Sequence, residues 1–134
     1  MRILVIDDYR NHGETLLDLL RTLGHDALYA QSYGDAQWLL DLFRFDLAVL
    51  DFDMPETTGP AAARQLATRF PDMESVIVSA HALRGPRREE VGDLAFLPKP
   101  VSRTALASFL EQIEQARIGS ALILRGPFAV IKYK

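Results

Sequence analysis

The stretch LAVLDFDMPETTG, residues 47–59, is an apolar run that stops at two carboxylates, Asp51 and Asp53, with Pro55 and Gly59 just beyond. A carboxylate at the end of a buried strand can accept a phosphoryl group, whereas a D-x-D pair can also supply the nucleophile and general acid of phosphoester hydrolysis. Comparable polar groups close other short apolar runs: Asp7 and Asp8 follow Ile3–Ile6, Ser79 follows Val76–Val78, and Lys99 follows Leu94–Leu97. Singly, each has an ordinary structural reading, as a solvated turn, a cap or a loop lysine. Their repetition at the ends of successive runs is what points to a site. If they converge, carboxylates a few ångströms apart repel by roughly 4 kcal/mol per pair at an effective dielectric near 20. Such a cluster requires cations. A hard divalent ion with oxygen ligands, Mg²⁺ foremost, suits the acids. Lys99 adds a fixed positive charge and Ser79 a hydroxyl donor, which together can stabilise a phosphoryl group transferred to Asp51.

The elements that must position these residues follow from periodicity. Leu16/Leu19/Leu20/Leu23, Ala36/Leu39/Leu40/Phe43, Ala63/Leu66/Ala67/Phe70 and Leu106/Phe109/Leu110/Ile113 recur at helical spacing, each marking a helix with one buried stripe. The continuous apolar runs between them, with a weaker one at Ala27–Ala30, read as strands buried on both faces. Gly24 is placed to end the first helix, Pro60 to open the third and Ser102 to cap the last. Strand and helix alternate five times. Each parallel connection must cross over the sheet, so the pattern predicts a doubly wound α/β domain with helices on both faces. In such a sheet the residues at the carboxyl ends of the strands share one edge, where ligands bind.

Composition narrows the class. A chain of 134 residues, 49% hydrophobic, makes one domain with a substantial core. A formal charge of −3 provides no field to recruit nucleic acid or an anionic membrane. Cysteine is absent, which excludes disulfides, thiolate metal sites and a cysteine nucleophile. Only four apolar residues precede Asp7, too few for a signal peptide core or a membrane span, and a cytoplasmic location is expected.

ILVIDD at 3–8, D-x-x-M-P-x-x-x-G at Asp51–Gly59, VIVSA at 76–80 and FLPKP at 96–100 give residues 1–118 a resemblance to the response-regulator receiver domains of two-component signalling. That resemblance implies a flavodoxin-like strand order, 2-1-3-4-5. It makes Asp51 the phosphoacceptor, Asp7 and Asp8 the metal-binding acids with the backbone carbonyl of Asp53, and Lys99 the partner of the acyl phosphate. Ser79 and Phe96 correspond to the switch pair, and the Lys99–Pro100 peptide is expected to be cis. The implied activity is Mg²⁺-dependent phosphotransfer from a histidine kinase or phosphotransfer protein, with output through contacts to a downstream protein rather than through catalysis of its own. Asp53 and His81 fall where the family tunes the lifetime of the phosphate.

Two segments depart from the pattern. Gly85-Pro86 leaves room for only a short fourth helix, starting near Pro86, and Arg84, Arg87 and Arg88 beside Glu89-Glu90 read as a self-compensated solvated face or as a patch for an acidic partner. Residues 119–134 carry two apolar runs around Arg125-Gly126-Pro127, which read as a strand or hairpin extension able to pack on the domain or on a second copy of the chain. Two other functions compete: a receiver-like module that works without phosphorylation, and a haloacid-dehalogenase-like phosphohydrolase using Asp51 and Asp53. The second lacks its later acid pair, because Gly92-Asp93 is followed by Leu94-Ala95-Phe96-Leu97.

Overall fold

The computed structural model of the chain describes residues 1–81 and 83–125. Strands β1 (Arg2–Ile6), β2 (Asp26–Ala30), β3 (Leu47–Asp51), β4 (Glu74–Ser79) and β5 (Ala95–Pro98) alternate with helices α1 (Arg10–Thr22), α2 (Tyr33–Leu42), α3 (Gly59–Arg69), α4 (Gly85–Val91) and α5 (Arg103–Arg125). All strand pairs are parallel, and the sheet order is β2-β1-β3-β4-β5. The flavodoxin-like order implied by the resemblance is therefore the one found.

The two central strands explain why the platform is stiff. Ile3 to Ile6 of β1 are fully buried, and every residue of β3 is buried. Each such aliphatic side chain contributes roughly 1.5–3 kcal/mol on burial. The core gathers Leu4, Ile6, Leu50, Ala63, Leu66 and Ile77, among others. The helices meet the sheet along the stripes that the sequence marks: Leu16 and Leu20 of α1, Ala36 and Leu40 of α2, Ala63 and Leu66 of α3 are all buried.

Local signals set the helix ends. Gly24 takes a φ of 91° just beyond α1, a conformation that side chains with a Cβ avoid. The Thr58 hydroxyl accepts the Ala61 N–H at 3.3 Å, capping α3, whose first turn contains Pro60. α4 is seven residues long and begins at Gly85, with Pro86 in its first turn. The short fourth helix is thus as the sequence indicates, starting one residue earlier.

One expectation needs correction. The sequence reads 119–134 as a strand or hairpin, but α5 continues as helix to Arg125. Ala121, Leu122 and Leu124 are strong helix formers, and extending an existing helix avoids the cost of a new nucleus. The second apolar run, 126–134, lies outside the described residues, as does the dimer contact expected of it. Met1–Arg103 form one compact unit and Thr104 onward a second. All of the candidate site belongs to the first.

Candidate functional site

The chain order turns back between β1 and β3, and the register pairs Ile6 with Leu50. The residues that follow them, Asp7 and Asp51, therefore emerge side by side at the carboxyl edge, the place where doubly wound sheets bind ligands. Asp8 follows Asp7, and one carboxylate oxygen from each of Asp7, Asp8 and Asp51 lies within 4.8 Å of the others. Asp7 and Asp51 are buried, and Asp8 is exposed. Three hard oxygen donors this close, one of them open to solvent, fit a divalent cation such as Mg²⁺.

Lys99 supplies the cation within the protein. Its Nζ lies 3.0 Å from Asp51 Oδ1 and 3.3 Å from Asp7 Oδ2. The Lys99 N–H donates to the Ser79 carbonyl at 2.9 Å, which fixes the start of the lysine loop on β4, and the Lys99–Pro100 peptide is cis. One lysine against three carboxylates leaves the cluster negative. At an effective dielectric near 20, each pair of these carboxylates repels by roughly 3–4 kcal/mol.

The two buried acids respond in opposite directions. Burial raises Asp51, and although Lys99 hydrogen-bonds and attracts its carboxylate, the neighbouring Asp7 charge and Asp8 add to the rise; the result is a pKa pushed up from 3.8 to about 6. Burial also acts to raise Asp7, but its hydrogen bonds win. His12 Nδ1 meets Asp7 Oδ2, the Tyr9 N–H donates to Oδ1 at 2.9 Å, and Lys99 adds its charge, so Asp7 falls below the usual carboxylate value. Asp7 is thus held ionised, while Asp51 carries the more basic carboxylate.

The remaining candidates sit around this centre. Ser79 is buried at the end of β4, and its hydroxyl oxygen accepts the His81 N–H at 3.1 Å. The contact is made by the backbone of His81, an exposed residue. Phe96, on β5 opposite Ile77, is half-buried against the core. Gly59 closes the approach from below: a Cβ there would come within 2.5 Å of the Asp51 carbonyl oxygen, so only glycine lets α3 start this close to β3.

Asp53 is drawn away from the cluster. Its side chain is 56% exposed and pairs with Arg87, Nη2 lying 3.1 Å from Oδ2. That engagement is at odds with a general acid at Asp53 and counts against the phosphohydrolase reading. Sequence reasoning missed His12 altogether and placed Arg87 either on a self-compensated solvated face or in a patch for an acidic partner, not against Asp53. The one clue to His12 was its place in the first turn of α1, four residues beyond Asp8.

A sequence model of the response regulator receiver domain matches residues 3–111. The chain belongs to this family. A response regulator receiver protein of Anaeromyxobacter is 35% identical over 105 residues, covering 75% of this chain and 43% of that protein. The sensor protein TorS of Escherichia coli is 29% identical over 126 residues, which are 90% of this chain and 14% of TorS. The chain therefore spans less than half the length of these curated relatives. Among solved structures, a CheY-like receiver domain from Methylobacillus flagellatus superposes with a TM-score of 0.70 at 30% identity, covering 84% of this receiver and 98% of that chain. TrrA of Thermotoga maritima, solved in complex with Mg²⁺-BeF, shares the fold with a TM-score of 0.72 at 24% identity, covering 84% of this chain and 97% of its own. Among the described residues, no helix is long and apolar enough to cross a membrane.

Proposed function

We propose that this receiver is a phosphoacceptor: Asp51 takes a phosphoryl group from a phosphohistidine on a partner kinase or phosphotransfer protein and passes the signal on by contact with a further protein. The carrying observation is the buried pair of acids at the β1 and β3 ends, bridged by one lysine and joined by a third, exposed acid. Family membership supports it, as does the presence of receiver-like sequence in sensor proteins such as TorS.

In this reading an Asp51 carboxylate oxygen attacks phosphorus, the P–N bond to the donor imidazole breaks, and that imidazole departs with the bonding pair. In the metal-free site burial and the Asp7 charge push the Asp51 acid up to about 6, so its carboxylate is mostly ionised and able to attack at neutral pH, and a bound cation favours that ionised form further. Asp7, Asp8 and Asp51, with the Asp53 backbone carbonyl, would hold Mg²⁺, which when bound neutralises charge on the transferring group. Lys99 already contacts Asp51 and is placed to pair with the new phosphoryl oxygens. The Ser79 hydroxyl can turn its proton toward the same oxygens, and a Ser79 shift opens space for Phe96, a small change able to bias a two-state domain. Asp53 and His81, flanking the acceptor and Ser79, set how long the phosphate persists.

Incubation with acetyl phosphate and Mg²⁺, followed by intact mass measurement, tests the proposal. A labile phosphate-sized gain, lost in Asp51→Asn, is expected. Absence of that gain in the wild type would move the receiver to a phosphorylation-independent binding role, and steady release of phosphate from unrelated esters would reinstate hydrolysis.

A further inference from the structure

α4 is short, yet two of its side chains reach the loop that follows the acceptor. Arg87 and Glu90 stand three residues apart and so share a helix face. Arg87 Nη2 lies 3.1 Å from both carboxylate oxygens of Asp53, and the Thr58 hydroxyl donates to Glu90 Oε1 at 2.7 Å. Asp53 and Thr58 are themselves partners in an isolated antiparallel bridge, so α4 grips both stems of one loop. Arg64 of α3 closes the arrangement by donating to the Glu90 carbonyl.

The guanidinium of Arg87 is also stacked 4.5 Å from the centroid of Phe52, the residue between Asp51 and Asp53. Its Nη1 is buried and has no hydrogen-bond partner among the described residues. Charge on Asp53 and the face of the ring therefore fix this side chain, rather than a full set of hydrogen bonds. Released from Arg87, the Asp53 carboxylate would stand as a fourth negative charge within two residues of the acceptor.

We propose that Arg87 is a positioning residue for the phosphoryl site: by neutralising Asp53 and holding it on α4, it removes that fourth charge from the path of an incoming phosphoryl anion. The cation is thereby left to Asp7, Asp8, Asp51 and the Asp53 backbone carbonyl, without the Asp53 carboxylate. This role rests on Asp51 being a phosphoacceptor and extends that reading to a residue from a different element.

Freed charge acts oppositely on cations and anions, which separates this role from loss of structure. Two measurements on the full chain decide it: Mg²⁺ affinity by titration calorimetry, and the rate of phosphate gain from acetyl phosphate at saturating Mg²⁺. In Arg87→Gln, Mg²⁺ is expected to bind about two- to tenfold tighter and phosphate gain to slow by a similar factor, the reach of one partly screened unit charge. Arg87→Lys, which retains the charge, recovers most of both. In an Asp53→Asn background, Arg87→Gln changes neither. Unchanged values in Arg87→Gln overturn the proposal, as does a parallel weakening of both, which marks simple loosening, or an effect that survives Asp53→Asn. If the wild type takes no phosphate at all, the phosphoacceptor reading falls, and the Mg²⁺ arm alone then upholds or overturns the pairing of Arg87 with Asp53.

Discussion

Removing the charge of the proposed acceptor should make the metal-free receiver more stable. Asp51 is 7% exposed, and its acid is raised from 3.8 to about 6 by burial and by Asp7 and Asp8. Between those values the folded chain holds a proton that the unfolded chain has released, so stability falls as pH rises through the window, and the full penalty applies above it. At 1.36 kcal/mol per pH unit the penalty is roughly 3 kcal/mol at pH 7.5 and about 1 kcal/mol at pH 4.5. Asp51→Asn is neutral at both, and because the raised acid already contains the attraction of Lys99, nothing more is subtracted for that contact. The expected gain is therefore about 3 kcal/mol at pH 7.5, on the order of 10 °C in Tm for a domain of this size, shrinking to about 1 kcal/mol at pH 4.5. Asp7, whose pKa is lowered below 3.8, stays ionised at both pH values, so the difference reports on Asp51. Thermal unfolding followed by circular dichroism in EDTA provides the assay. An Asn variant no more stable than wild type at pH 7.5, or a gain of equal size at pH 4.5, would refute the reasoning.

Lys99→Ala leaves Asp7 and Asp51 without their shared cation, and in EDTA at pH 7.5 it should cost about 2–3 kcal/mol, a loss that added Mg²⁺ largely restores if the acids bind it; denaturant titration with and without Mg²⁺ measures both. His12→Ala removes a partner that lowers the Asp7 acid. Stability tied to that lowering is present above 3.8 and lost as pH falls through the folded value, so the variant should begin acid unfolding at higher pH, and an unchanged acid midpoint would show that His12 does not hold Asp7. Gly59→Ala drives a Cβ against the Asp51 carbonyl and should cost about 1–3 kcal/mol in urea unfolding, with slower phosphate gain because the acceptor itself is displaced.

The parts of the site that sequence reveals are those that strand geometry alone determines. A parallel sheet sends every strand end to one edge, so Asp7, Asp8, Asp51, Ser79 and Lys99 could be grouped from the run endings without knowing any side-chain direction. His12 and Arg87 obey no such rule. Each stands on a helix, where a rotation of one residue, about 100°, turns a side chain from the site to solvent. For Arg87, Gly85-Pro86 marks where α4 starts but not which face of its seven residues meets the loop after β3. Charge bookkeeping along the sequence also misled: Glu89 and Glu90 are the nearest acids in the chain, yet Arg87 pairs with Asp53, 34 residues away, and Glu90 instead accepts from Thr58. The misread extension has a related cause. Leucine and alanine suit a buried strand by hydrophobicity and a helix by propensity, and the preceding helix tips the balance by sparing Ala121–Leu124 a nucleation step.

The electrostatic design follows from the same geometry. Closing three carboxylates around one lysine costs stability in the metal-free state, and Asp51 carries that cost as a raised pKa, because it is buried and because Asp7, anchored by His12, Tyr9 and Lys99, does not yield its charge. A group thus held out of balance responds to whatever neutralises it, be it a proton, a divalent cation or a covalent phosphoryl group that redirects Lys99. A receiver with an apolar residue at Asp8 should relax part of this tension: Asp8→Ala removes a hydrogen-bond partner that raises the Asp51 acid, so that acid falls modestly while burial and Asp7 keep it raised, the pH dependence of stability narrows slightly and Mg²⁺ binding weakens. Stability–pH curves for the two proteins in EDTA, paired with Mg²⁺ titrations, test that linkage, and a change in one without the other would separate the acid's basicity from the cation site.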